Sequence, residues 1–194
     1  MMMNMLSHLF SIVIFGGGEN NGGIKMNKKT IVLSVFPACG KTYMVENCKD
    51  LKILDSDSSN FSWYYPNGEL STRVRNPEFP NNYIQHIKEN IGKYDYIFVS
   101  SHVDVRDAMD EAGIKYGVVF PSRDLLDEWI GRCYRRPNNG FPIDVLIKNW
   151  DNWIDGMIQS AKNHDFAVLT HGKYLSDCVP VNFYSSDGGL FEVR

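Results

Sequence analysis

The segment Ile31–Tyr43, with the sequence IVLSVFPACGKTY, joins a short apolar run to a Gly-Lys-Thr turn. Such a turn can bind phosphate, because backbone N–H groups converge on an anion where a strand passes into a helix. In this pattern Lys41 would reach the β- and γ-phosphates of a nucleotide, and the Thr42 hydroxyl would contact Mg²⁺. The candidate phosphate-binding residues are Pro37, Ala38, Cys39, Gly40, Lys41, Thr42 and Tyr43.

Two positions of this segment depart from the full phosphate-loop pattern. The glycine expected five residues before Gly40 is Val35, and Ala38 stands where many such loops carry another glycine. Val35 lies where the strand passes into the loop, so a β-branched residue fits there if its φ is negative. Pro37 restricts the conformation of the turn. We therefore expect a phosphate-binding loop rather than a chance Gly-Lys-Thr sequence.

An acidic cluster, DSDSSN, follows the second apolar run of the chain, LKILD. Ligands bind open parallel sheets beyond the carboxyl ends of the strands, which is where Asp55 and Asp57 would lie. One of these carboxylates could position Mg²⁺ or orient the acceptor of a phosphoryl group. The sequence does not decide between them, and an Asp/Ser turn would have the same composition. Asp55 and Thr42 are the candidate metal ligands.

Arginines form a second cluster in the segment SRDLLDEWIGRCYRR. Arg132 and Arg136 are four residues apart and would share one face of a helix that Ser122 caps. Guanidinium groups match the charge of a transferring phosphoryl group, and the following PNNG is typical of a hinge, so we expect a mobile arginine helix at about 122–141. Arg123, Arg132 and Arg136 are candidate catalytic residues, together with Lys41, Asp55 and Asp57. The alternative is a solvated basic face that balances nearby carboxylates.

An insert at about 58–80 carries further candidate ligands. Arg73 and Arg75 could hold the phosphate of a second substrate, and Trp63 could stack on its base. The alternative is a surface loop that is fixed by its aromatic residues.

The third apolar run, YDYIFVSS, leads to Ser101 and His102, which are candidate substrate contacts. Many phosphate-loop proteins carry an acidic metal-contacting residue at this place. Its absence here would leave the metal to Thr42 and the DSD carboxylates. His102 could act as a base, although a capping or orienting role is the expectation.

Five short apolar runs alternate with segments of helical character. They are KTIVLSVF, LKILD, YDYIFVSS, IKYGVVF and FAVLT. Because this alternation is typical of a parallel sheet with helices on both faces, we predict a three-layer α/β fold with a five-stranded parallel sheet. The insert contains too many turn-forming residues for regular structure. Tryptophans at helical spacing, Trp129, Trp150 and Trp153, are expected in the core.

Length and composition fit a single globular domain. The chain has 194 residues and a formal net charge of −3, which argues against a dedicated nucleic-acid-binding protein. The four cysteines lack metal-ligand spacing and indicate reduced thiols in the cytosol. Residues 1–25 include an apolar run that is too short to span a bilayer, without the features of a secretory signal. We expect a non-native or flexible extension there, with the natural start at Met26.

Residues from Met26 to about Leu169 resemble the nucleoside monophosphate kinase branch of the phosphate-loop kinases, particularly its small, divergent bacteriophage members. The resemblance rests on FPACGKT, LDSDS, the arginine-bearing insert and PSRDLLDEWIGRCYRR. It implies a P-loop NTPase fold for residues 26–194, in which the insert binds the monophosphate and the arginine helix is a lid. It also implies ATP and Mg²⁺ as cofactors, in the cytoplasm (that of the host if the chain is phage-encoded).

Together, these features predict an ATP- and Mg²⁺-dependent phosphotransferase with a (deoxy)nucleoside monophosphate as the favoured acceptor. A hydroxyl on a polynucleotide end or a small metabolite is the alternative acceptor, and it would require a general base such as Asp57. A nucleotide-binding regulator without turnover is a further alternative. We expect neither membrane contact nor a stable nucleic-acid complex.

Overall fold

The computed structural model describes residues 30–69, 72–136 and 142–179 of the chain. The expectations about residues 1–25, the start at Met26 and the PNNG hinge at 137–140 lie outside these residues. Within the described residues the chain forms seven strands and seven α-helices. The strands are β1 (Ile31–Val35), β2 (Ile53–Asp55), β3 (Trp63–Tyr64), β4 (Val74–Arg75), β5 (Tyr96–Ser100), β6 (Gly117–Pro121) and β7 (Phe166–Leu169). The helices are α1 (Lys41–Asn47), α2 (Ser59–Ser62), α3 (Asn81–Asn90), α4 (Val103–Glu111), α5 (Leu126–Tyr134), α6 (Ile143–Ser160) and α7 (Leu175–Cys178).

Five of the strands form one parallel sheet in the order β2-β5-β1-β6-β7. β1 lies at its centre and pairs with β5 from Ile31 opposite Tyr96 to Val35 opposite Ser100. Because all five strands run in the same direction, the segments that follow them meet at one edge of the sheet. The predicted α/β class with five parallel strands is confirmed.

The centre of the sheet is covered on both faces. The side chains of residues 96–99 in β5 are all buried, although successive residues point to opposite faces. Helix α6 faces the core with Leu146, Trp150, Ile154 and Met157. Burial of each such side chain stabilises the fold by about 1.5–3 kcal/mol. Trp129 is buried as well and Trp153 packs against the core, as the spacing of the tryptophans predicted.

The insert after β2 is more regular than its composition indicated. One helical turn, α2, leads into β3, and β3 pairs with β4 as an antiparallel hairpin. The register places Trp63 opposite Arg75 and Tyr64 opposite Val74. The expectation of no regular structure was wrong here, because packing between cross-strand side chains outweighs a turn-rich composition.

The segments after β6 and β7 also differ from their predictions. A 3₁₀ turn at Arg123–Leu125 precedes α5, and the Ser122 hydroxyl donates to the Asp124 carboxylate instead of accepting from a backbone N–H. After β7, the short helix α7 forms in a segment for which the sequence predicted no element. Both segments lie at the carboxyl edge of the sheet and therefore border the candidate site.

Candidate functional site

The loop at residues 37–43, called the 37–43 loop below, follows β1 and leads into α1. Val35 is the last residue of β1 and pairs with Ser100 and Val119, so this position does not require glycine. Ala38 and Gly40 have left-handed backbone conformations, with φ of 60° and 99°. This conformation is unfavourable by about 1–2 kcal/mol for a residue with a Cβ atom, such as Ala38. Glycine has no Cβ atom, so Gly40 adopts it without this cost.

Two helices hold the 37–43 loop through its carbonyl groups. The indole Nε1–H of Trp129, in α5, donates to the carbonyl oxygen of Pro37 at 2.8 Å. The backbone N–H of Leu175, in α7, donates to the carbonyl oxygen of Cys39 at 2.8 Å. α5 and α7 follow β6 and β7, two neighbouring strands that lie on the same side of β1 in the strand order. Both contacts therefore reach the loop from the side of β6 and β7.

The ring of Tyr174 closes that side of the loop. A Cβ atom on Gly40 would lie 3.3 Å from Tyr174 Cδ1, a contact tighter than most Cβ atoms make. Burial raises the pKa of the Cys39 thiol to about 12, so the thiol is protonated and does not act as a nucleophile at neutral pH. The loop is therefore packed firmly on the side that faces α5 and α7.

Lys41 and Asp55 form an ion pair beside the loop. The distance from Lys41 Nζ to Asp55 Oδ1 is 4.0 Å, and the side chains are 24% and 27% exposed. Burial raises the pKa of the Asp55 carboxyl above its ordinary value of 3.8. The charges of Lys41 and Arg136 oppose this shift, and the charge of Asp57 adds to it. The structure thus brings four predicted site residues to one edge of the sheet.

Asp57 also takes part in the local turn. Its Oδ1 accepts a hydrogen bond from the N–H of Ser59 at 2.8 Å, at the start of α2. The residue remains exposed. Its carboxylate therefore fits the Asp/Ser turn and is still accessible to a ligand.

Arg132, a predicted lid arginine, is only 5% exposed. Its guanidinium carbon lies 4.0 Å and 3.9 Å from the ring centroids of Trp129 and Tyr174. Nε donates to Glu128 at 2.9 Å and Nη2 to the carbonyl oxygen of Lys173 at 2.7 Å. Nη1 is buried and has no acceptor among the described residues. These contacts fix the side chain between α5 and the segment after β7.

The other predicted lid arginines lie apart from one another. Arg123 pairs with Asp151 at 2.8 Å and with Asp155, both in α6, so the structure places its guanidinium on that helix. Arg136 is exposed and close enough for its charge to lower the pKa of Asp55. Of the three predicted catalytic arginines, Arg136 is the one that the structure brings toward the Lys41–Asp55 pair.

Trp63, Arg73, Arg75 and Phe79 form a group that we call the insert cluster. The Arg73 guanidinium lies 4.7 Å from the ring centroid of Trp63, and that of Arg75 lies 5.4 Å from Trp63 and 4.5 Å from Phe79. Arg75 Nη2 also pairs with Asp104 at 3.2 Å. Among the described residues Arg73 has no ion-pair partner. The arginines of the insert therefore stack on its own aromatic rings, an arrangement that also fits the alternative of a surface loop fixed by its aromatic residues. Stacking of Trp63 on the base of a substrate stays a prediction.

Ser101 and His102 connect β5 to α4 at the same edge of the sheet. His102 is the N-cap residue of α4, but its side chain does not cap a backbone N–H. Desolvation lowers the pKa of His102 below its ordinary 6.5, and the charges of Arg75 and Arg106 act in the same direction against that of Asp104. The imidazole is therefore neutral at pH 7 and can accept a proton.

Few side chains beside the 37–43 loop could coordinate a magnesium ion. Within residues 30–69, 72–136 and 142–179, no three His, Cys, Asp or Glu side chains are grouped to hold a metal. Thr42 adjoins Lys41 in sequence, and Lys41 contacts Asp55. Mg²⁺ at nucleotide sites commonly takes one or two protein oxygens, with phosphate oxygens and water completing the octahedron. Thr42 and Asp55 stay predicted Mg²⁺ ligands.

Sequence reasoning missed the contacts that Trp129, Tyr174 and Leu175 make with the 37–43 loop. Helical spacing placed Trp129 in the core, and a buried indole N–H usually finds an acceptor. That rule indicates a hydrogen bond but does not name Pro37 as its acceptor. Tyr174 and Leu175 lie in a segment without periodic signal.

No described helix is both long and apolar enough to cross a membrane. No protein-family model matches the chain, and no curated protein matches it significantly. The function is therefore inferred from the chemistry of the site itself.

Proposed function

We propose that this protein is an ATP- and Mg²⁺-dependent phosphotransferase of the phosphate-loop kinase type, acting in the cytoplasm on a (deoxy)nucleoside monophosphate. The observation that carries the proposal is the Lys41–Asp55 pair beside a loop with left-handed residues at 38 and 40. Such a loop presents N–H groups to an anion, and a lysine beside it stabilises the charge on a transferring phosphoryl group.

In the proposed reaction the terminal phosphoryl group of ATP passes to an oxygen of the acceptor phosphate, and ADP leaves. Lys41 binds the phosphates of the donor, and Arg136 adds positive charge on the same edge of the sheet. Thr42 and Asp55 would hold Mg²⁺, which neutralises phosphate charge when it is bound. Asp55 performs this role as a carboxylate, so ionisation of its side chain is required.

The insert cluster supports a monophosphate as the acceptor. Arg73 lies on the ring of Trp63 and has no ion-pair partner among the described residues. A guanidinium that is held by stacking keeps its N–H groups for a phosphate, while the exposed edge of the cluster can contact a base. The cluster follows β2 and lies beside Asp104, at the start of α4, through Arg75.

A hydroxyl acceptor is the second candidate. It is favoured by two groups at the same edge that can accept a proton, the exposed carboxylate of Asp57 and the neutral imidazole of His102. A monophosphate acceptor needs neither group as a base, so the identity of the acceptor separates the two candidates.

The test is phosphoryl transfer from ATP labelled at the γ-phosphate to a panel of nucleoside monophosphates, nucleosides and 5′-hydroxyl oligonucleotides. We expect labelled diphosphate from at least one monophosphate and a loss of about 10²–10³-fold in Lys41→Ala. Lys49→Ala, a change at an exposed residue that follows α1, is the matched control and should retain activity.

Two other outcomes would favour the alternative functions. Transfer only to nucleosides or oligonucleotides would favour the hydroxyl acceptor. Binding of ATP without transfer to any member of the panel would favour the nucleotide-binding regulator.

A further inference from the structure

We infer that Trp129 is a positioning residue for phosphate binding, because its indole N–H holds the Pro37 carbonyl and thereby turns the N–H of Ala38 toward the anion. The inference rests on the proposed function for the identity of the ligand. It adds a residue that touches neither donor nor acceptor and acts through the backbone of the 37–43 loop.

The peptide bond between Pro37 and Ala38 is oriented by the hydrogen bond from Trp129. In a planar trans peptide the C=O of one residue and the N–H of the next point in opposite directions. The Pro37 oxygen accepts from Trp129 Nε1 at 2.8 Å and therefore points toward α5. The N–H of Ala38 consequently points away from α5.

The peptide bond between Cys39 and Gly40 is held in the same way. The Cys39 oxygen accepts from the N–H of Leu175 at 2.8 Å and points toward α7. The N–H of Gly40 therefore points away from α7. Within the part of the chain that the structure describes, no acceptor contacts the N–H groups of Ala38 or Gly40.

The order of the strands gives the side toward which these N–H groups turn. β1 lies between β5 and β6, and the two helices that hold the carbonyls follow β6 and β7. The opposite side of the loop faces β5 and β2, and Lys41 meets Asp55 there. The N–H groups of Ala38 and Gly40 thus lie on the same side of the loop as the Lys41 ammonium, as binding of a phosphate requires.

Trp129 can hold the Pro37 carbonyl in one orientation because its own side chain is fixed by packing. Its side chain is fully buried, and the Arg132 guanidinium lies 4.0 Å from its ring centroid. The ring of Trp150 packs on it at 6.2 Å between centroids. Rotation of the indole would break these contacts and leave the Pro37 oxygen without its donor.

The test compares two tryptophans that make the same kind of bond in the same core. Trp129→Phe removes the donor to Pro37 and keeps an aromatic ring. The matched control, Trp150→Phe, removes a donor that bonds the Arg123 carbonyl at 2.8 Å, outside the loop, and keeps an aromatic ring to pack on Trp129. If Trp129→Phe does not fold, replacement of Trp129 by β-(3-benzothienyl)alanine removes the N–H while preserving the shape of the indole.

The probe is magnesium tripolyphosphate, which lacks a base and reports on the loop alone. Affinity is measured by calorimetry, and the amide protons of Ala38 and Gly40 are followed by NMR. We expect Trp129→Phe to weaken binding about three- to tenfold, as the loss of one hydrogen bond predicts, and Trp150→Phe to leave it unchanged. On binding, the downfield shift of the Ala38 amide proton should shrink in Trp129→Phe, while that of Gly40 persists.

The inference is overturned if the wild-type protein binds tripolyphosphate and both variants bind it equally well, with unchanged amide shifts. That result would leave the proposed function intact. If the wild-type protein does not bind tripolyphosphate at all, the proposed function is wrong and the role of Trp129 in phosphate binding is wrong with it.

Discussion

The 37–43 loop and the insert cluster hold their functional groups by different means. The loop is anchored by hydrogen bonds to two of its carbonyls, from α5 and α7, and by the ring of Tyr174. The insert cluster lies on and beside a hairpin whose two strands have two residues each. Its arginines stack on half-buried rings, and one ion pair connects Arg75 to Asp104 in α4. Both regions border the carboxyl edge of the sheet. The loop includes the fully buried Cys39, whereas the insert cluster contacts the core through the half-buried Phe79.

This difference matches the demands of the two proposed substrates. A donor whose phosphates always have the same shape is served by a fixed loop, because a preorganised site loses little entropy on binding. An acceptor site on a surface hairpin can adjust its side chains as the acceptor enters. Substitutions in the loop region should therefore cost stability and binding together, whereas those in the insert cluster should affect acceptor binding alone.

The largest expected effect is on the free energy of unfolding, when an arginine is replaced by methionine beside the loop and in the insert cluster. Arg132→Met removes a buried guanidinium that contacts Glu128, the Lys173 carbonyl and two rings, and should lower the free energy of unfolding by about 3 kcal/mol. Arg75→Met removes a half-exposed ion pair and should cost less than about 1 kcal/mol. Urea denaturation measures both values, and equal losses would contradict the comparison.

The KM for the acceptor gives a second measurement on the variants of the insert cluster. Arg75→Met should raise the KM for the acceptor with little change in that for ATP. An unchanged acceptor KM in Arg75→Met and also in Arg73→Met would show that the insert cluster does not bind the acceptor.

A smaller effect is expected at two left-handed glycines. Gly40→Ala places a Cβ atom 3.3 Å from Tyr174 Cδ1 at a φ of 99°, and should destabilise the fold by about 2 kcal/mol. Gly68→Ala, in the insert, has a φ of 73° but no atom within 4 Å, and should cost about 1 kcal/mol. Thermal or urea unfolding would detect the difference. Its absence would mean that Tyr174 does not press on the loop in solution.

The smallest effect on stability is expected at Asp55, and it depends on pH. Because the pKa of Asp55 is raised in the folded protein, its contribution to stability is largest below 3.8 and falls as pH rises through the raised value. Asp55→Asn should therefore be slightly more stable than the wild type at neutral pH, by no more than about 1 kcal/mol, and lose this advantage in acid. Transfer activity should be lost. A variant that is less stable at neutral pH would contradict the assignment of burial as the dominant influence on Asp55.

The five strands of the parallel sheet could be predicted because each is a short apolar run, and their alternation with helices is typical of a parallel sheet. The Gly-Lys-Thr turn could also be placed, since Val35 and Ala38 differ from the full pattern without altering its position between strand and helix. The hairpin of the insert was missed because the cross-strand contact of Trp63 with Arg75 is invisible in composition. The Trp129–Pro37 bond was missed for a similar reason, as its partners are 92 positions apart.

The arginines show a further limit. Residue type and helical spacing predicted that Arg132 and Arg136 share one face of a helix. This was wrong, because α5 ends at Tyr134: Arg136 lies beyond the helix and is exposed, whereas Arg132 is buried under Tyr174. The packing partner of Arg132 comes from the segment after β7, whose position near α5 follows only from the order of strands in the sheet. Local pattern therefore identified the charges but not their surroundings.

Titration of the wild-type protein with Mg·ATP by calorimetry, beside Lys41→Ala and Lys49→Ala, tests the central claim that the 37–43 loop and Lys41 hold the phosphates of a nucleotide. The predicted result is binding with a Kd between about 1 μM and 1 mM. The affinity should be weakened about tenfold or more in Lys41→Ala and unchanged in Lys49→Ala. No binding by the wild-type protein, or equal binding by all three, would contradict the claim.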